Sequence, residues 1–402
     1  MNETKQIDRQ KQASRILSID AFRGITFFLM IVVNELHGIA GISPWLKHMP
    51  ADADAMGFAD LVFPAFLFIV GMSIPFGHQT RQKRGETTSQ IIQHSAIRAL
   101  GLITMGFFMV NAESGFDESK MAISIATWSL LSYVAFLLLW GVYRFENPTW
   151  TCLGKWAGLI LLVLLAASYR GDQEMGWMSV QWWGILGLIG WAYLIAILIF
   201  QITGGRLMAL LLAIVLCTTY YALSHSSLNN LYPNFSFLLS QGAHAAHTSI
   251  VLTGLVCSSI FFKPTGSSAN HLRFLQAAGF AIALVLAATI LRPHFPVSKI
   301  YATPSWCFYS SAICVIIFSF LYYLIDLRFI QSWTKYFEPA ATNPLVCYLL
   351  PFILGAILNI GGWHSPLHQL TAYAGLFACV GYAAVMLAIV AALNRFNFKM
   401  RF

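Results

Sequence analysis

Apolar stretches of about 18–23 residues recur from one end of this 402-residue chain to the other, with few charges inside them. That feature restricts the fold more than any other. A backbone surrounded by hydrocarbon must satisfy its own hydrogen bonds, which leaves helices or a closed barrel. Barrel strands need only about ten residues, so stretches of this length select helices. Only 10% of the residues are charged while 58% are apolar, and mean hydropathy is +0.67. A soluble domain carries roughly 25% charged residues, so the whole chain reads as an all-α polytopic membrane protein.

The pattern predicts about twelve transmembrane helices, with ten to twelve allowed, at 21–42, 59–78, 93–112, 121–143, 156–169, 182–200, 205–223, 244–263, 272–292, 307–326, 341–360 and 370–393. The fifth is short for a crossing, and the sixth and seventh are divided only by a glycine turn near Ile202–Arg206. The domain plan is a tail over 1–20, one multi-helix domain over 21–393 and a second tail over 394–402. The N-terminal tail is polar for too long to be a signal peptide, so the first apolar segment reads as a retained helix.

Threading twelve helices with the N-terminus inside places 19 of the 24 lysines and arginines on the cytoplasmic side. This asymmetry predicts both termini in the cytoplasm. It also accounts for the net charge of +8 as a topology signal, and nucleic acid is not an expected partner. Seven scattered cysteines show no metal or redox spacing and read as packing residues.

Eight of the eleven histidines fall on the outer side, among them His37, His48, His244, His247 and His364. They either form an interfacial rim or line a shared basin. Ionisable groups at membrane depth usually face a protein interior or a wet cavity. Asn34, Glu35 and His37 cluster where the first helix ends; Asn34 and His37 share a face and Glu35 points elsewhere. Asp60 opens the second helix, where a carboxylate suits the N-terminus. Asp52 and Asp54 read as solvated loop residues. On the inner side Asp20 and Arg23 either pair with each other or leave Arg23 for an anion, and Arg98 either snorkels or binds phosphate. No compact H-E-x-x-H pattern is present, and no metal is expected. These residues alone admit a transporter, an enzyme acting at the outer face, or a structural membrane protein.

The stretch SIDAFRGITFFLMIVVNELHG, followed by WLKHMPADADAMGFADLVFPAFLFIVGMSIPF, resembles the heparan-alpha-glucosaminide N-acetyltransferase family, including its bacterial relatives. Weaker similarity returns in GILGLIGWAYL, KIYATPSWCFYSS and the YYLID…ATNPLVCYL segment. The resemblance implies transfer of acetyl from cytosolic acetyl-CoA, as co-substrate, to the amine of a glucosamine-type acceptor across the membrane. It places the active histidine on His48, the functional asparagine on Asn34 and a later asparagine on Asn343. Glu35, His37, Asp60 and His364 become candidates for orienting His48 or binding substrate, and Arg23 and Arg98 for holding coenzyme A. A multi-pass protein of the bacterial inner membrane is implied, with membrane lipid, a small-molecule or oligosaccharide acceptor and a second copy of the chain as admissible partners. Two departures stand out. Residues 121–169 add a helix pair, and Leu188–Ile189 occupy a site where the family carries a glutamine–arginine pair.

Overall fold

The computed structural model describes residues 16–143, 148–172, 176–226, 240–262, 270–363 and 365–400. Among them the long elements are helices: α1 (Leu17–Leu36), α2 (Ala59–Lys83), α3 (Thr88–Glu113), α4 (Ile125–Trp140), α5 (Pro148–Ser168), α6 (Gly184–Thr203), α7 (Leu207–Ser224), α8 (Gly242–Phe262), α9 (Asn270–Leu291), α10 (Pro304–Tyr322), α11 (Pro344–Ile360) and α12 (Ala372–Arg395). Pairing of extended backbone among the described residues is limited to isolated bridges such as Ala40 with Thr371. The chain is therefore an all-α multi-pass membrane protein. Among the described residues ten helices are long and apolar enough to cross a bilayer, and α4 and α11 are the shorter apolar pair.

Local chemistry explains the boundaries. Thr87 and Gln90 close a reciprocal capping box at the start of α3. Ser124 caps α4, and Pro304 opens α10 where its missing N–H has no intrahelical role. Gly204 and Gly205, at φ 59° and 68°, make the expected turn between α6 and α7. The fifth helix, too short at 156–169 to cross without borrowing from its flanks, extends on its N-terminal side to span 21 residues. Trp150, Lys155 and Trp156 break the apolar run at its beginning without breaking the helix.

The helix at the centre is α8, packed against α2, α7 and α6. About 78% of its apolar window is buried, against 17% for α5 and 22% for α9. Glycines make the closest contact possible. A Cβ on Gly71 would lie 1.9 Å from the Val251 carbonyl oxygen, and one on Gly254 would lie 2.0 Å from that of Phe68. Small residues let helix backbones touch in a membrane, where lipid tails give no hydrophobic drive for association. Peripheral α5 turns Trp156, Val163 and Leu164 outward, as a lipid-facing helix should.

The short helices matter for the site. At 1.5 Å per residue, α4 with 16 residues spans about 24 Å, less than the roughly 30 Å of hydrocarbon. It packs against α11, which has 17 residues. Both border the large cavity described below.

Candidate active site

The 22-residue segment between α1 and α2 is tied down at several points. Lys47 reaches back to the end of α1, donating to the carbonyls of Ile39 at 2.6 Å and His37 at 3.3 Å. A cation there satisfies orphan carbonyls and suits the helix dipole. Further along, Asp54 pairs with Arg292 at 3.0 Å and accepts from the Val297 N–H at 2.7 Å. The Arg292 guanidinium and the Val297 N–H hold the Asp54 carboxyl below its usual range. Tyr301 donates to Asp52 at 3.3 Å. Asp54 is thus an anchor, not the solvated loop residue its sequence context suggested. These bonds dock the α1–α2 loop onto the α9–α10 loop.

The docking sets His48 over Asp60. The imidazole Nδ1 donates to Asp60 Oδ1 at 2.7 Å, and Asp60 Oδ2 accepts from the backbone N–H groups of Met49 at 3.0 Å and Gly57 at 2.9 Å. An ionised carboxylate only accepts, so this bond assigns the proton to Nδ1 and leaves Nε2 as the unprotonated, accepting nitrogen. Asp60 is 1% exposed, whereas the His48 side chain is 35% exposed. The anion is buried but hydrogen-bonded, and its partner remains reachable. Trp306 adds a bond from its indole N–H to the Asp60 carbonyl at 3.2 Å. The α9–α10 loop also brings Lys299 to His48, with Nζ 3.1 Å from Nδ1 and 3.3 Å from Nε2. Burial pulls the Lys299 ammonium down to about 8, against the opposing attraction of Asp60.

His48 and Lys299 line a cavity of about 1070 Å³, together with Asn34, Glu35, His37, Glu113 and the α8 histidines His244 and His247. The structure therefore gathers Asn34, Glu35, His37 and His48 around one space. Glu35, which the helix spacing expects to point elsewhere, lines the same cavity as Asn34 and His37. Asp60 stands behind His48 rather than in the wall. His364 lies outside the described residues.

A second cavity of about 280 Å³ opens toward the other end of the bundle. Phe27, Met30 and Leu102 make it apolar, and Arg98 stands in its wall with its guanidinium 5.3 Å from the Tyr193 ring centroid. The two cavities share Ile185, Leu186 and Tyr348. Arg23 borders neither; it donates to Asp20 at 2.8 Å and to Ser73 at 2.7 Å, joining α1 to α2. Asn343 is fully buried, and its amide binds Asn394, the Phe398 carbonyl and the Met400 N–H. It fixes the C-terminal segment, whose Met400 closes part of the second cavity.

Lys299 and Glu113 were not singled out by sequence. The only signal for Lys299 was its place in KIYATPSW, one of the segments of returning similarity. No group of histidines, cysteines and carboxylates with metal-binding geometry occurs among the described residues.

Two curated proteins match part of the chain. Human heparan-alpha-glucosaminide N-acetyltransferase is 38% identical over 98 residues, covering 24% of this chain and 14% of that protein. The mouse protein of the same name is 34% identical over 104 residues, covering 26% of this chain and 15% of its own length. The relation to this family is distant. The match spans about a seventh of those relatives, and no family model matches the chain.

Proposed function

We propose that this protein transfers an acetyl group from acetyl-CoA, held from the cytosolic side, to the amine of a glucosamine-type saccharide on the outer side of a bacterial inner membrane. The observation that carries the reading is the Asp60-oriented His48 imidazole, placed in a cavity that abuts a second cavity through one shared wall. Neither the charged nucleotide nor a sugar enters hydrocarbon, and two spaces meeting inside the bundle let their reactive ends approach while the rest stays in water. The partial likeness to N-acetyltransferases supports the same class of reaction.

The residues divide the work. Phe27, Met30 and Leu102 suit the pantetheine arm, and Arg98 suits a phosphate through charge-assisted hydrogen bonds. His48 Nε2 acts in one of two ways: it attacks the thioester carbonyl carbon and expels the coenzyme A thiolate, or it takes a proton from the attacking amine. Asp60 holds the productive tautomer for either step. Asn34, in the same cavity wall, and the Lys299 ammonium beside His48 would stabilise the oxygen that becomes negative in the tetrahedral intermediate.

Sealed vesicles loaded with acetyl-labelled acetyl-CoA and supplied outside with glucosamine test the reading. Label should appear on the external amine, and only with the predicted inner face toward the acetyl-CoA. Uptake of glucosamine without acetylation would replace this reading with a transporter. Labelled enzyme, trapped at His48 when acceptor is omitted, selects the covalent route.

A further inference from the structure

Glu113 is the last residue of α3, and the fold gives no reason for a carboxylate there. The C-terminal end of a helix carries partial negative charge, so an acidic side chain in that position is unfavourable. No basic residue occupies the last turn of α3. Among the described residues Glu113 has no ion pair or hydrogen bond, and it lines the His48 cavity. Tyr133 on α4 and Tyr348 on α11 line the same cavity.

The position of Glu113 is not left to chance. Two residues earlier, Asn111 donates to the Ser179 carbonyl and accepts from the Ser179 N–H, each at 3.1 Å. One residue later, Ser114 donates to Gln181 at 2.7 Å, and Gln181 returns a bond to the Ser114 carbonyl at 2.9 Å. A charge clamped on both sides and aimed at a cavity is the arrangement expected of a binding group.

The rest of the cavity agrees in sign. Its charged lining consists of Glu35, Glu113 and Lys299, with Lys299 drawn to His48. Trp183 and Tyr133 supply aromatic faces, which attract cations. His247, 4% exposed and in the same wall, has an Nδ1 with no partner among the described residues. An unpartnered polar atom buried at that level points to a ligand that completes it.

We infer that Glu113, with Tyr133 and Trp183 of the same cavity wall, recognises the ammonium group of the acceptor. The inference rests on the acetyl-transfer reading and assigns the cationic class of its acceptor to a residue.

Purified full-length wild type and Glu113→Gln are titrated with glucosamine and with glucose by saturation-transfer NMR, and acceptor kinetics are measured at saturating acetyl-CoA. Loss of one charge-assisted contact should weaken glucosamine binding and raise its KM by about tenfold or more, with kcat changed by less than about twofold. Glucose binding should not change, and Glu113→Asp should recover most of the loss. Glucosamine binding that survives Glu113→Gln unaltered overturns the inference, as does wild type that binds glucosamine no better than glucose. If wild type binds glucosamine through Glu113 yet transfers no acetyl, the recognition site stands and the acetyl-transfer reading falls.

Discussion

The Lys299 ammonium lies almost midway between the two ring nitrogens of His48, 3.1 Å from Nδ1 and 3.3 Å from Nε2. Since Nδ1 already donates to Asp60, the cation stands beside the nitrogen proposed to react and next to any oxygen that would gain charge there. Its pKa of about 8, lowered by burial, sets the pH at which that help disappears. Turnover should fall as pH rises through about 8, and Lys299→Arg should move this alkaline limb upward. Stability runs the other way. Lys299 is ordinarily protonated up to about 10.5, so the unfolded chain binds the extra proton between about pH 8 and 10.5. This residue therefore disfavours folding fully below about 8 and progressively less above it. A decline in turnover without that gain in thermal midpoint would remove Lys299 from the chemistry.

Asp60→Asn should retain inserted protein and reduce acetyl transfer by about 10²–10⁴-fold, the general range for acid–base catalysis, with about 10⁴ expected where a histidine loses the carboxylate that fixes its tautomer. The buried amide must also face the N–H groups of Met49 and Gly57, so the α1–α2 loop should loosen. Protease sensitivity near 48–57, measured beside kinetics, separates loop release from loss of tautomer. Full activity in Asp60→Asn would contradict the assigned role.

Arg98 and Arg23 should part company. Arg98→Ala is expected to raise the KM for acetyl-CoA about tenfold while the thermal midpoint stays nearly constant, because one charged hydrogen bond contributes about 1.5–3 kcal/mol. Arg23→Ala removes the bonds to Asp20 and Ser73 and should lower the midpoint with little effect on that KM. The reverse outcome would move the coenzyme site to the entrance of α1.

A methyl group at Gly71 has nowhere to go, since the obstacle is the backbone of α8 and not a flexible side chain. Gly71→Ala and Gly254→Ala should each destabilise the fold by about 1–3 kcal/mol or more, as overpacked cores do. Size-exclusion profiles and unfolding in detergent report this directly. A normal midpoint in either variant would show that α2 and α8 separate easily.

What sequence revealed followed the physics of each signal. Hydropathy is a property of a continuous segment, so the helices were legible, and the resemblance led to the neighbourhood of Asn34 and His48. α5 was underestimated because tryptophan and lysine at its entrance resemble a loop to a hydropathy window. Lys299 is 251 residues from His48 in the chain, and no local pattern announces which outer lysine will meet which histidine. Asn343 shows the converse: its resemblance pointed to chemistry, while its amide is bound to the C-terminal segment. Glu113 escaped notice because a carboxylate at the end of a helix becomes unusual only when its missing partners can be seen.

Ile185, Leu186 and Tyr348 form the wall common to the two cavities. If each cavity takes water from its own side of the membrane, this layer of side chains carries a large share of the transmembrane voltage. Each elementary charge crossing the full potential exchanges roughly 2.3 kcal/mol per 100 mV. In the proposed reaction the acyl group that passes this layer is neutral but the proton released by the amine is not, so the side from which it leaves would determine whether the field assists or opposes turnover. Polarised vesicles and detergent micelles would then report different rates for the same enzyme.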